Sequence, residues 1–181
     1  SGTSMFMVLQ AALAKVLTRN GAGDDIPIGS LAAGRTEAAL EGLVGCFADF
    51  LILRTDTSGD PAMPELLARI RESNLRALEH QDVPFADVAA AMGDTEVLRP
   101  QVLLIHHQQA RFDDLGSLGG FWPVPVGVPE SDLTLSFYEP VGDGPVHAHF
   151  SFSTDVLDPH VVTAWASEVL SEVRAAIGGL E

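Results

Sequence analysis

Along this chain the spacing of apolar and polar positions alternates between a helical and a two-residue period. In residues 3 to 20, Met5, Phe6, Met7, Val8, Leu9, Leu13, Val16 and Leu17 spread round most of a helical circumference. That spread predicts a helix buried on several sides, capped by Thr3 or Ser4 and ended by Asn20-Gly21. Asp25 to Ser30 reads as a short strand, with Pro27 pushing it toward a sheet edge or an irregular start. Gly34-Arg35-Thr36 is a turn, and residues 37 to 43 suit one or two helical turns. Phe47 to Arg54 is too short for a free-standing helix and rich in strand formers, which predicts a buried strand.

Thr57-Ser58-Gly59-Asp60-Pro61 breaks the chain, and residues 62 to 80 then form the clearest amphipathic helix. Its apolar side is expected to hold Leu66, Leu67, Ile70, Leu75 and Leu78; Glu65–Arg69 and Glu72–Arg76 are i,i+4 pairs on the solvated side. Pro84 opens a shorter helix to about Met92, stopped by Gly93. Gln101 to Gln109, Leu133 to Glu139 and Val146 to Thr154 read as strands, the last two joined as a hairpin through Gly142-Asp143-Gly144. In the third of these, Val146, Ala148, Phe150 and Phe152 share one face and His147, His149 and Ser151 the other. A final helix runs from Pro159, behind the cap Asp158, to Ile177 and ends at Gly178-Gly179. Between these elements, residues 111 to 131 carry so many glycines and prolines that they form either a functional loop or an arm crossing to a partner. Helices and strands mix without a strict βαβ rhythm, so the fold class is α/β with a mixed sheet covered by helices.

Composition narrows the function classes. With 181 residues, 46% hydrophobic and 19% charged, the chain suits one well-cored domain spanning residues 1–181. A formal charge of −15 repels phosphate backbones, so nucleic acid and anionic membranes are poor partners. No long uncharged apolar run or signal pattern is present, which suggests a soluble, cytoplasmic protein. The lone Cys46 suits a reducing compartment and is expected to be a buried small hydrophobe.

Candidate chemistry is sparse. His106-His107 invites a catalytic reading, but neighbouring strand residues point to opposite faces, so only one of the two can line a given cavity. His106, His107, His147 and His149 are a conceivable metal set, yet no acidic or Cys residue completes it at a diagnostic spacing. Neither a nucleophile elbow, a phosphate-cradling loop nor a dinucleotide fingerprint occurs, and no cofactor is implied. His80-Gln81-Asp82-Val83-Pro84-Phe85 reads as a helix end, a proline-fixed reversal and an aromatic staple.

Taken together, these segments resemble the second half of a condensation-type domain of nonribosomal peptide synthetases. The matching positions are Gly34 and Arg35, then Gly45, Phe47 and Asp49 with Arg54, then His80, Gln81, Asp82, Pro84 and Phe85, and finally Asp132 before a late strand. The resemblance implies one lobe of a two-lobe, chloramphenicol acetyltransferase-like fold. A tunnel between the lobes would receive thioesters borne on phosphopantetheine arms of carrier proteins, and residues 111 to 131 would be the crossing arm. His106, His107 and Ser136 are candidates for the tunnel wall. The His-His-x-x-x-Asp-Gly motif of the family's catalytic half does not occur in this chain, so no catalytic residue is expected here. Two departures stand beside the expected wall: Asp49-Phe50 replaces the family's Asn-Thr, and the family's Arg-x-Pro-Leu-Phe-Gln entry to the next strand is reduced to Arg99-Pro100-Gln101, without the Leu-Phe pair.

Three functions remain open on these residues. The chain is part of a recruitment (X-type) domain that binds a haem monooxygenase, or half of an active peptide-bond-forming domain, or a stand-alone binding module with a His-rich strand face. The N-terminal lobe of the same domain is its expected partner. In isolation the apolar ribbon Phe121, Trp122, Val124, Val126 and Val128 is expected to drive self-association.

Overall fold

The computed structural model describes residues 2–35, 37–93, 100–108, 131–139 and 146–178. Its elements follow the sequence pattern closely. Helix α1 (Met5–Arg19) leads into strand β1 (Asp25–Ala32), and a short 3-10 turn at Ala38–Leu40 precedes β2 (Asp49–Asp56). Two helices come next, α2 (Met63–Leu78) and α3 (Phe85–Ala91), then strands β3 (Val102–Gln108), β4 (Leu133–Glu139) and β5 (His147–Phe152), and finally α4 (Pro159–Gly178). The arm expected at residues 111 to 131, with its ribbon Phe121 to Val128, lies outside the described residues except for Ser131.

α1 starts where the sequence places it, because Ser4 Oγ accepts the Met7 N–H at 3.3 Å. It ends at Asn20, whose side-chain amide donates to the Val16 carbonyl at 2.8 Å, followed by left-handed Gly21. This helix is the hub of the core. Leu9, Leu13 and Val16 pack with Val162 and Val169 of α4 and with the sheet, while Val8 and Ala11 pack with Leu66, Leu67 and Ile70 of α2. Fully burying each of the larger side chains contributes about 1.5–3 kcal/mol. A polar knot joins the layers: the Gln10 amide donates to Thr55 Oγ1 at 2.9 Å and to Asn74 Oδ1 at 3.2 Å, and Asn74 Nδ2 returns a bond to Gln10 Oε1 at 2.7 Å.

Among the described residues the sheet has five strands in the order β2-β1-β3-β4-β5. β1–β2 and β4–β5 are antiparallel; β1–β3 and β3–β4 are parallel. Strand parity sorts its faces. Ile26, Ile28, Leu104, Leu133, Leu135 and Phe137 turn toward α1 and α4 and form the main core. Leu31, Phe50, Ile52, His107, Ser136, Tyr138 and His149 have the opposite parity and lie on the face away from those helices.

Four expectations need correction. Pro27 does not mark an edge: β1 lies between β2 and β3, and the missing N–H is tolerated because pairing with β3 is confined to Gly29↔Leu103, two residues on. β2, expected to be buried, is the outer strand and mostly half-buried, and only Leu53 and Thr55 are inside. α2 continues its inner face through Asn74, leaving Leu75 and Leu78 at 46% and 43% exposure, because the Gln10 knot claims that position. Cys46 is exposed, since the loop carrying it lies outside the core. The two expected ion pairs on α2 are both formed, Glu65–Arg69 at 2.6 Å and Glu72–Arg76 at 3.7 Å.

Candidate functional site

The landmark residues of the chain's first half converge on the start of β2. Gly34 has φ +64°, and a Cβ there would sit 1.9 Å from the Phe47 carbonyl oxygen, so only glycine fits. Next to it, the Arg35 guanidinium donates to the Leu40 carbonyl and, at 3.2 Å, to the Gly45 carbonyl, and lies 4.4 Å above the Phe47 ring. One arginine thereby folds the loop back on itself.

Asp49 then fastens this loop to the second landmark. Its Oδ1 accepts the Phe50 N–H at 2.7 Å, and its Oδ2 accepts the Phe85 N–H at 2.9 Å. Phe50 and Phe85 meet edge to face, their centroids 6.0 Å apart. The Asp49-Phe50 pair, a departure from the family pattern in sequence, therefore works as a clasp on the first residue of α3. His80 and Asp82 point into solvent, Gln81 is half-buried, and Pro84 fixes the reversal before α3. At the far end of β2, Arg54 grips Asp25 with two guanidinium nitrogens, its Nε at 3.2 Å from Oδ1. That bond holds the Asp25 carboxyl below its ordinary pKa and the Arg54 guanidinium above its own.

A groove of about 570 Å³ opens between β2 and α2. Arg54, Arg69 and Arg76 face Asp25, Asp56 and Glu72 across it, so its charges largely cancel and it attracts neither sign strongly.

The second half of the chain builds a different patch. The β3–β4 register sets His107 opposite Tyr138, and their rings stack at 4.4 Å, while His149 on β5 stacks on Tyr138 from 5.6 Å. Ser136, 6% exposed, shares this face, because it pairs with Ile105 on β3 and with His149 on β5. Burial pushes the His107 imidazole below its ordinary pKa, and the neighbouring imidazoles of His149 and His106 add to the effect. Burial alone lowers His149 and raises the Tyr138 phenol. At neutral pH the patch presents two uncharged imidazoles, a protonated phenol and a hydroxyl.

His106 belongs elsewhere. It stacks on Phe137 at 4.3 Å, on the helix-covered face, so it does not share a wall with His107 and Ser136. The same parity prevents His106, His107, His147 and His149 from converging on one ion. Among the described residues, no group of three or more His, Cys, Asp or Glu residues is placed to hold a metal. Asp132 precedes β4, and its carbonyl accepts the Ser153 N–H at 3.0 Å. No helix among the described residues is long and apolar enough to cross a membrane.

Comparison with known proteins accords with this layout. The condensation domain family matches residues 1–181. The dimodular nonribosomal peptide synthase of Bacillus subtilis is 40% identical over 191 residues, covering 96% of this chain and 8% of its own. The probable non-canonical nonribosomal peptide synthetase CymA of Salinispora arenicola is 40% identical over 187 residues, covering 98% of this chain and 2% of its own. Among solved structures, the X-domain from teicoplanin biosynthesis superposes with a TM-score of 0.81 at 30% identity, over 97% of this chain and 42% of that one. The chain thus spans less than half of that structure and a small part of the synthetases. Its mixed sheet and helices are those of one lobe of the chloramphenicol acetyltransferase-like architecture. The chain belongs to the condensation domain family of nonribosomal peptide synthetases.

Proposed function

We propose that this chain is the C-terminal lobe of a condensation-type domain in peptide antibiotic biosynthesis and performs no bond-forming chemistry by itself. The observation that carries this reading is the His107–Tyr138–His149 patch with Ser136 on the sheet face away from α1 and α4. Uncharged hydrogen-bonding and stacking groups suit an extended, amide-bearing phosphopantetheine arm delivered by a carrier protein. They do not suit proton abstraction. Burial and two other imidazoles perturb His107, and among the described residues no carboxylate is bonded to it as the orienter that typically supports a general base. The catalytic groups would come from the other lobe of the same domain. Titrating the chain with an aminoacyl-pantetheine thioester is expected to move the His107 and His149 ring resonances; unchanged resonances up to millimolar ligand would remove the basis for a wall at this face.

One observation favours a second, finer reading, recruitment of a haem monooxygenase. The X-domain of the teicoplanin complex with OxyB superposes at a TM-score of 0.78 with 29% identity, whereas the starter condensation domain of rhizomide synthetase gives 0.75 at 16%. Calorimetric titration of this chain with OxyB should show saturable binding; a flat titration would leave the recruitment reading without support.

A further inference from the structure

The sheet is not joined equally along its width. β1 pairs with β2 through eight residue pairs, β3 with β4 through seven and β4 with β5 through six. Between β1 and β3, among the described residues, the ladder is reduced to Gly29↔Leu103. Ser30 Oγ adds one buried bond across this seam, donating to the Leu104 carbonyl at 3.0 Å. Glycine makes the close contact possible. A Cβ at Gly29 would come within 2.6 Å of Pro100 Cβ and 2.7 Å of a Leu103 methyl, so both side chains nest on bare backbone.

Directional bonds gather the elements on either side into two blocks. Gln10 ties α1 to Thr55 of β2 and Asn74 of α2, Thr18 Oγ1 meets Thr57 Oγ1 at 2.7 Å, and Ser73 of α2 donates to the Arg54 carbonyl at 3.0 Å. With the β1–β2 ladder, these make α1, α2, β1 and β2 one block; β3, β4 and β5 are held as a second by their own ladders. Apolar packing joins the two. Leu13 and Val16 of α1 and Val162 and Val169 of α4 share a cluster with Leu104, Leu135 and Phe137. Such packing is non-directional, so it keeps the blocks together while allowing small sliding movements that a continuous ladder would resist.

We infer that the sheet is hinged at the β1–β3 seam, the two blocks swinging about the Gly29–Leu103 contact on the microsecond-to-millisecond timescale of packed elements. Leu31 stands on one side of the seam, and Ile105 and His107 stand on the other with the same outward parity, so the swing changes the width of that face. The hinge rests on the sheet's own pairing and holds whether or not that face binds a thioester arm.

The test is backbone-amide relaxation dispersion on the full chain. Amides of residues 29–32 and 103–106 should share one exchange process, and the paired centre of β4 and β5 should be free of it. Ser30→Ala removes the side-chain bond across the seam and should raise the open population about fivefold. Ser131→Ala removes buried bonds inside the second block, to the Leu133 carbonyl and to Thr134, and should leave the seam process unchanged. Should either variant fail to fold, the unsubstituted chain decides alone. Absence of dispersion at the seam overturns the hinge, as does equal dispersion through β4 and β5 or the same response to both substitutions.

Discussion

Replacing Asp49 by alanine removes the clasp between β2 and α3. Two hydrogen bonds end on this carboxylate, but they differ in what they hold. The bond from Phe50 is local, spanning one residue, whereas the bond from Phe85 joins segments 36 residues apart. Hydrogen bonds to a charged partner contribute about 1.5–3 kcal/mol, and half-burial of Asp49 places the loss toward the lower end, about 2 kcal/mol. For a chain of this length that corresponds to a fall in Tm of about 4–8 °C. Asp49→Asn keeps one accepting oxygen and should lose about half as much. The assay is thermal unfolding of the three proteins, with amide exchange at Phe85 as the local readout. Asp49→Ala should accelerate exchange at Phe85 and lower Tm, Asp49→Asn should fall between, and the Gln10 knot should keep its protection. An unchanged Tm together with unchanged exchange at Phe85 would refute the clasp.

Gly34→Ala forces a side chain into a left-handed position and against the Phe47 carbonyl; strain alone costs about 1–3 kcal/mol. It should lower Tm and speed proteolysis within residues 37–48. Gln10→Ala leaves the buried Asn74 amide short of partners, an expected loss of about 2–4 kcal/mol in urea unfolding once lost packing is included. Stability should also fall as pH drops through the histidine range. His107 and His149 are held below 6.5 in the fold, so the unfolded chain binds more protons there; their contribution is complete above about pH 6.5 and is lost as pH falls through the folded values. Equilibrium unfolding at pH 7.5 and 5.0 should show the decline, and His107→Phe, which keeps a ring on Tyr138, should flatten it. Asp25, whose pKa is lowered, acts in a separate window below about pH 4.

The elements were readable because each announces itself locally. α1 and α4 carry helical periodicity with caps, α2 carries it behind a proline-marked start, and β4 begins and ends where alternation does, at Leu133 and Glu139. What single-chain periodicity does not carry is register. Parity alone separates His106 from His107, but it says nothing of Tyr138 lying opposite His107, since that depends on how β3 and β4 slide past each other. Tyr138 and His149 therefore joined the candidate patch only once the sheet was assembled. Asp49 was visible as a departure from the family pattern, while its bond to the Phe85 N–H, which turns the departure into a clasp, is a long-range fact. Leu75 and Leu78 misled for a related reason: hydrophobicity marked them as core, and a buried Asn74 took the inner position because Gln10 satisfies it. The outward position of Cys46 follows from the Arg35 fold of its loop, which no local pattern encodes.

The measurement that bears most directly on the account is a condensation assay with two aminoacyl thioesters loaded on carrier proteins. The chain alone is compared with an otherwise identical reaction lacking it, and peptide product is followed by mass spectrometry. The account predicts the same product level in both, because the patch of His107, Ser136, Tyr138 and His149 binds and orients but abstracts no proton. Product forming faster than in the protein-free reaction, and lost on His107→Phe, would contradict it.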